Sequence, residues 1–114
     1  MKRSRWTIVV AGPAKSDFDD IIRWTIGHFG TRQARSYAAT LNNALAALRS
    51  GPRAPGARQR DDIGPGMFTL HVARGGRRGR HLILFRVMRD EDRRLEVLRV
   101  LHDRIDITQQ EQGE

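Results

Sequence analysis

The stretch Leu95-Glu96-Val97-Leu98-Arg99-Val100-Leu101-His102-Asp103-Arg104-Ile105-Asp106 decides the fold. Its first seven residues are a mostly apolar run of strand length, which needs neighbours to cover it. Arg99 interrupts the run, and His102, Asp103, Arg104 and Asp106 close it with polar groups that a buried strand does not require. Working backwards, His81–Met88 and Met67–Ala73 have the same composition, and short polar turns separate the three runs. Three such neighbours predict an antiparallel meander. The first turn, Arg74-Gly75-Gly76-Arg77-Arg78-Gly79-Arg80, is a glycine hairpin loaded with cations, and the second, Arg89–Arg94, mixes Asp90, Glu91 and Asp92 with arginines.

Upstream, Gly51, Pro52, Pro55, Gly56, Gly64, Pro65 and Gly66 punctuate residues 50–66, which also hold Arg53, Arg58 and Arg60. A loop of that length usually binds something, forms a lid or is disordered. Before it the period changes to that of helices. Ser16 is a candidate N-cap with Asp19 three residues on, and Asp17 and Asp20 suit the positive end of a helix. Phe18, Ile21, Ile22, Thr25 and Phe29 then share a face, with Trp24 at its edge. Gly30 predicts a stop, and Thr31 caps a second helix with the stripe Ala34, Tyr37, Ala38, Leu41, Leu45 and Leu48. So tight a join predicts an antiparallel helical hairpin. Trp6–Val10 reads as a strand in front of it. The fold class is therefore α+β: an N-terminal strand, an antiparallel helical hairpin and a three-stranded antiparallel meander, with the helices on one face of a twisted sheet.

The 114 residues, 13.0 kDa, fit a single domain over 1–114, with 1–4 and 107–114 expected to be flexible. The formal charge of +8 rests on nineteen Arg and two Lys, so the basic surface consists of forked donors suited to carboxylates and phosphates. An acidic partner is expected, either nucleic acid or an acidic protein segment. The absence of cysteine excludes disulfides and thiolate metal sites and is compatible with a cytoplasmic location. The apolar run behind Lys2, Arg3 and Arg5 is too short for a secretory signal, and no membrane span is expected.

Several chemistries lack their residues. Gly75, Gly76 and Gly79 lead into Arg80 and His81 where a phosphate-cradling loop needs a lysine and a hydroxyl. His28, His71 and His81 are scattered, and His102 with Asp103 and Asp106 has no metal spacing, so no metal and no cofactor are expected. Ser16, Ser36 and Ser50 lie outside any strand-to-helix elbow. A metal-free constellation of Arg74, Arg80, Arg99 and His102 remains, able in principle to cleave RNA through its own 2′-hydroxyl. Side chains alternate along a strand, so Arg99 and His102 point to opposite faces unless the strand ends or bulges between them. The alternative is structural: an ion pair from Arg99 to Asp103, Asp106 or Glu96, and a satisfied histidine at a strand exit.

The order of these residues resembles the RelE/ParE superfamily of bacterial toxins, and within it the ParE branch. The resemblance spans nearly the whole chain. It is carried by Phe18, Ile21, Trp24 and Phe29-Gly30 in the first helix, then Gln33-Ala34, Tyr37, Leu41 and Leu48. In the tail it is carried by Arg80-His81, Val97, Arg99, Leu101-His102 and Asp106. The chain departs from the family at Ile107–Glu114, which is Gln- and Glu-rich and lacks the basic closing residues of many relatives.

The resemblance implies the toxin of a type II toxin–antitoxin system, causing growth arrest and serving plasmid stabilisation. Its cognate antitoxin would wrap it with helix and extended segments, and operator DNA would be reached only through that antitoxin. ParE relatives inhibit DNA gyrase, whereas RelE relatives are ribosome-dependent endoribonucleases acting on mRNA. As an inhibitor, the chain would bind partners through Trp24, Tyr37, Arg58, Arg60, Arg74, Arg77 and Arg78, with Arg99, His102 and Asp106 as a polar clasp on the last strand. As a nuclease, it would use Arg80, Arg99 and His102. The only tyrosine, Tyr37, lies on the helical hairpin, which favours the inhibitor.

Overall fold

The computed structural model describes residues 5–89 and 91–105. Strand β1 (Thr7–Val10) leads into helix α1 (Gly12–Ala47) and a 3₁₀ segment (Leu48–Arg53). Strands β2 (Arg58–Gln59), β3 (Met67–His71), β4 (His81–Arg89) and β5 (Arg94–His102) follow. They form one mixed sheet in the order β1-β5-β4-β3-β2. The predicted meander is β3-β4-β5, antiparallel throughout, while β1 lies parallel to β5 and pairs Thr7–Val10 with Arg94–Val97. The class is the expected α+β, with two corrections of detail.

The first concerns the helices. Hydrogen bonding joins residues 12–47 into one helical element, where the sequence predicts two helices, but Gly30 (φ 89°, ψ 171°) is not helical. That conformation suits a residue without a Cβ. The element folds back there. The Trp6 N–H donates to the Arg49 carbonyl at 3.0 Å, and the six steps along the chain from Trp6 to Gly12 reach at most about 22 Å. A straight helix of these 36 residues would instead separate its ends by about 54 Å. The element also starts at Gly12 rather than Ser16, with Pro13 in the first turn and no side-chain cap at Ala11. Proline is favoured there because its missing N–H has no helical acceptor to serve.

The second correction concerns the loop at 50–66, which is not featureless. It contains the 3₁₀ segment and β2, whose Arg58 and Gln59 pair with Thr69 and Phe68. Ile63 from this loop, together with Leu82 and Leu98, packs against Leu84 and Leu101 on the sheet face away from the helix. The opposite face carries the main core. There Ile83, Phe85, Leu95, Val97 and Val100 meet Ala14, Leu41, Ala44 and Leu48 from the helical element and its end. Phe18, Ile21 and Ile22 pack against this core as their spacing predicts, whereas Phe29, expected on the same stripe, is 64% exposed.

Strand β5 is bulged. Its register with β4 runs Phe85↔Val97 and then Leu84↔Arg99, so Leu98 is the extra residue. An inserted residue shifts the alternation of every position after it. Val97 and Val100, rather than Val97 and Arg99, therefore share the helix-facing core. Pairing is regular from Arg99 to His102, so these two residues occupy alternate positions, as parity requires.

Candidate functional site

Beyond Val97, β5 has no β1 neighbour, because the chain leaves the sheet at Ala11, whose N–H donates to the Val97 carbonyl at 2.9 Å. The open edge is closed by Asp17 in α1. Its carboxylate accepts hydrogen bonds from Arg99 Nε at 2.7 Å, Arg99 Nη2 at 3.0 Å and the Val100 N–H at 2.9 Å. An exposed strand edge presents unpaired backbone donors, and here a side chain from the following helix stands in for the missing strand. The acceptor of Arg99 is thus Asp17, not Asp103 or Glu96. Glu96 pairs with Arg86, its cross-strand partner, at 3.0 Å. Asp106, the remaining candidate and the third clasp residue, lies outside the described residues.

The histidines, by contrast, converge. Register places His81 opposite His102, with their rings edge-on at 5.4 Å. Asp103 follows directly. Its N–H donates to the Arg80 carbonyl at 2.8 Å, and its carboxylate accepts from His71 Nε2 at 2.9 Å, with Arg80 Nε at 3.9 Å. His71 and His102 therefore flank one carboxylate and His81 lies beside His102, which corrects the reading of His71 and His81 as scattered. The hydrogen bond from His71, and then the positive charge of Arg80 nearby, hold the Asp103 carboxyl below its usual range. Among the described residues, no group of three or more His, Cys, Asp or Glu side chains could hold a metal ion.

Backbone donors fix the tautomers. The Ala73 N–H donates to His71 Nδ1 at 3.0 Å, so the His71 proton sits on Nε2 and points at Asp103. The Arg104 N–H donates to His102 Nδ1 at 3.2 Å, which likewise leaves the His102 proton on Nε2. Tyr37 oxygen accepts the Arg80 N–H at 3.1 Å and its hydroxyl shares a hydrogen bond with His81 Nδ1 at 2.7 Å. Burial, and then the neighbouring His102, push His81 down to about 4, so it is neutral at pH 7. Burial also raises the Tyr37 phenol. Gly79 makes this approach possible: a Cβ there would lie 2.5 Å from Val72 Cγ2 and 2.9 Å from the Tyr37 oxygen.

Tyr37, His81 and His102 of this cluster line a groove of about 1240 Å³ between the helical element and the β3–β4 turn. One wall is apolar, with Trp24 55% exposed beside Phe29, their rings 5.8 Å apart. The other is cationic, made of Arg77, Arg78 and Arg80. Four of the predicted partner-binding residues, Trp24, Tyr37, Arg77 and Arg78, thus line one concavity. Arg58, Arg60 and Arg74 do not line it. Arg58 lies on edge strand β2, Arg60 is held by Asp62 at 2.6 Å, and Arg74 donates to the Pro55 carbonyl at 2.7 Å. Of the predicted nuclease set, Arg80 and His102 line the groove, while Arg99 is bound to Asp17.

Residues 8–107 match the family described as ParE toxin of type II toxin-antitoxin system, parDE. The chain belongs to this ParE toxin family. The ParE fold is also that of solved structures with low sequence identity. The chromosomal ParDE system from P. aeruginosa aligns with a TM-score of 0.69 at 18% identity, over 88% of this chain and 98% of that one. The RelBE2 toxin–antitoxin complex from Mycobacterium tuberculosis gives 0.58 at 22%, over 86% and 98%. The YoeB dimer from Staphylococcus aureus gives 0.55 at 11%, over 86% and 97%. No curated protein sequence matches significantly. Among the described residues of this ParE-family chain, no helix is long and apolar enough to cross a membrane.

The parts that sequence reasoning missed are Asp17 as the partner of Arg99, and the roles of His71, His81 and Asp103. A signal for the histidines existed. Folding Arg89–Arg94 into a hairpin with Arg89 opposite Arg94 sets His81 opposite His102, as observed, because the two register shifts along the ladder cancel. Nothing in the sequence links Asp17 to Arg99, 82 residues away.

Proposed function

We propose that this ParE-family toxin arrests growth by binding DNA gyrase as a protein inhibitor, and that a cognate antitoxin neutralises it. The observation that carries the inhibitor reading is the Arg99–Asp17 pair. General acid–base cleavage of RNA needs cations converging on the phosphate beside the base and acid. Arg99 is instead committed to the α1 edge, and the rigid register keeps it three residues from His102, about 10 Å along the strand. The antitoxin reading is supported by the groove, whose exposed Trp24 and Phe29 face Arg77 and Arg78. An amphipathic segment with an apolar stripe and acidic flanks complements both walls. Titration of purified gyrase subunits with the toxin, followed by antitoxin addition, tests this. Saturable binding that the antitoxin reverses is expected, and absence of binding by a folded sample refutes it.

A second reading, the RelE-like ribosome-dependent mRNA endoribonuclease acting without metal, is favoured by one observation: His81, His102 and Arg80 meet on the groove floor. On that reading His102→Ala slows single-turnover cleavage of ribosome-bound message by roughly 100- to 10,000-fold. Intact message in the presence of the unmodified toxin rejects it.

A further inference from the structure

We propose that residues 106–114, the segment that follows β5, dock on the cationic wall of the groove of their own chain and act as its internal acidic occupant. Their sequence, Asp106-Ile107-Thr108-Gln109-Gln110-Glu111-Gln112-Gly113-Glu114, holds three carboxylates and no Lys or Arg, in a chain of formal charge +8. The groove is its complement. Arg77, Arg78 and Arg80 are exposed along one wall, whereas Asp20, the one acidic residue among the described lining, already pairs with Arg23 at 3.2 Å. Arg77 gives one donor to Thr40 Oγ1 at 3.2 Å, and among the described residues no carboxylate lies within ion-pair distance of Arg77 or Arg78.

The exit of β5 selects this occupant. His102 lines the groove, the Asp103 N–H donates to the Arg80 carbonyl at 2.8 Å, and the Ile105 N–H donates back to the His102 carbonyl at 3.0 Å. The segment therefore starts beside Arg80. Six steps of chain from Ile105 carry Glu111 at most about 22 Å, and Arg77 lies three steps from Arg80, at most about 11 Å. Glu111 and Glu114 thus have the reach to meet Arg77 and Arg78. A free acidic peptide held only by exposed ion pairs binds weakly, but a short tether supplies an effective concentration in the millimolar range. Docking within the chain is accordingly sensitive to salt, and it yields to a partner that also fills the apolar wall of Trp24 and Phe29. The antitoxin segment proposed above would meet this competitor, but the docking does not depend on that reading and is tested without any partner.

The chain has no cysteine, so Gln112→Cys carries a nitroxide label at one place. The two tryptophans supply the probes: Trp24 lines the groove, while Trp6 lies over Gly51 beside Arg49, outside the lining. In nuclear magnetic resonance spectra of the isotope-labelled full chain at low salt, the nitroxide should broaden the Trp24 indole N–H strongly and the Trp6 indole N–H little. Glu111→Gln with Glu114→Gln should lower the docked-to-open ratio, read from that broadening, by about fivefold, the worth of two exposed ion pairs. Arg77→Ala with Arg78→Ala should do the same, and joining the two pairs of substitutions should lose little more, because both remove the same contacts. Salt of about 1 M, where the Debye length is about 3 Å, should also release the segment. The acidic pair lies outside the described residues, so its result stands even where the arginine variant is less stable. Absent broadening at Trp24, broadening that survives both double variants, or effects that add in full would each overturn the proposal. So would equal broadening in isotope-labelled chains mixed with unlabelled chains that bear the nitroxide, which assigns the contact to a second copy.

Discussion

Replacing Asp17 by alanine removes one carboxylate that serves three donors on β5. The Asp17 side chain is 15% exposed and the Arg99 side chain 33%, so the pair is only partly shielded from water and is worth less than a fully buried one. A bidentate charge-assisted pair in this setting contributes about 2 kcal/mol, and leaving the Val100 N–H without its acceptor at the strand edge adds about 1 kcal/mol. Asp17→Ala should therefore destabilise the fold by about 3 kcal/mol. With an unfolding entropy of about 0.24 kcal/mol/K for a chain of this length, the melting temperature falls by about 12 °C. Asp17→Asn keeps an acceptor for Val100 and loses the charge, so about half the effect is expected. Calorimetry of both variants, with Arg99→Met and the double substitution closing a cycle, isolates the pair. The coupling energy should be about 1.5 kcal/mol or more. An Asp17→Ala protein as stable as the parent, or a cycle with no coupling, would refute the view that this carboxylate closes the open edge of β5.

Two further outcomes bear on the groove. His81 is held neutral down to about 4, whereas a free histidine protonates near 6.5, so the unfolded chain binds more protons between these values and stability falls as pH drops through that window. Because His81 is only half-buried, the loss from this residue is about 1–2 kcal/mol. Denaturant titrations at pH 7 and pH 4.5 measure it, and His81→Gln should flatten the profile; equal pH dependence in the two proteins would count against this origin. Trp24→Ala should weaken antitoxin binding by about 2 kcal/mol or more if the exposed indole is an anchor, and unchanged affinity in a calorimetric titration would remove it from the interface.

The strands were legible because their apolar runs are long relative to the turns between them. Met67–Ala73, His81–Met88 and Leu95–Leu101 fall within two residues of the observed ends of β3, β4 and β5. The fold-back at Gly30 was legible from the glycine itself. The start at Gly12 was not, because Ser16 offers a better local cap and only the geometry of the chain leaving β1 overrides it. Strand β2 is too short to leave a periodic trace, and the Leu98 bulge depends on the pairing with β4, which no local pattern encodes. Strand parity correctly separated Arg99 from His102. It could not supply their partners, since Asp17 reads locally as a residue favourable to a helix N-terminus and acts instead across the fold. The groove was half legible: Trp24, Tyr37, Arg77 and Arg78 are prominent in the sequence, but the neutral His81 bonded to Tyr37 exists only once the hairpin register is set.

The measurement closest to the central claim is DNA gyrase supercoiling in the presence of the purified toxin, run beside translation reactions in which messenger RNA integrity is followed. The inhibitor account predicts that supercoiling stops at toxin levels stoichiometric with gyrase, that the antitoxin restores it, and that message stays intact. Undiminished supercoiling together with ribosome-dependent cleavage of message, lost in His102→Ala, would contradict it.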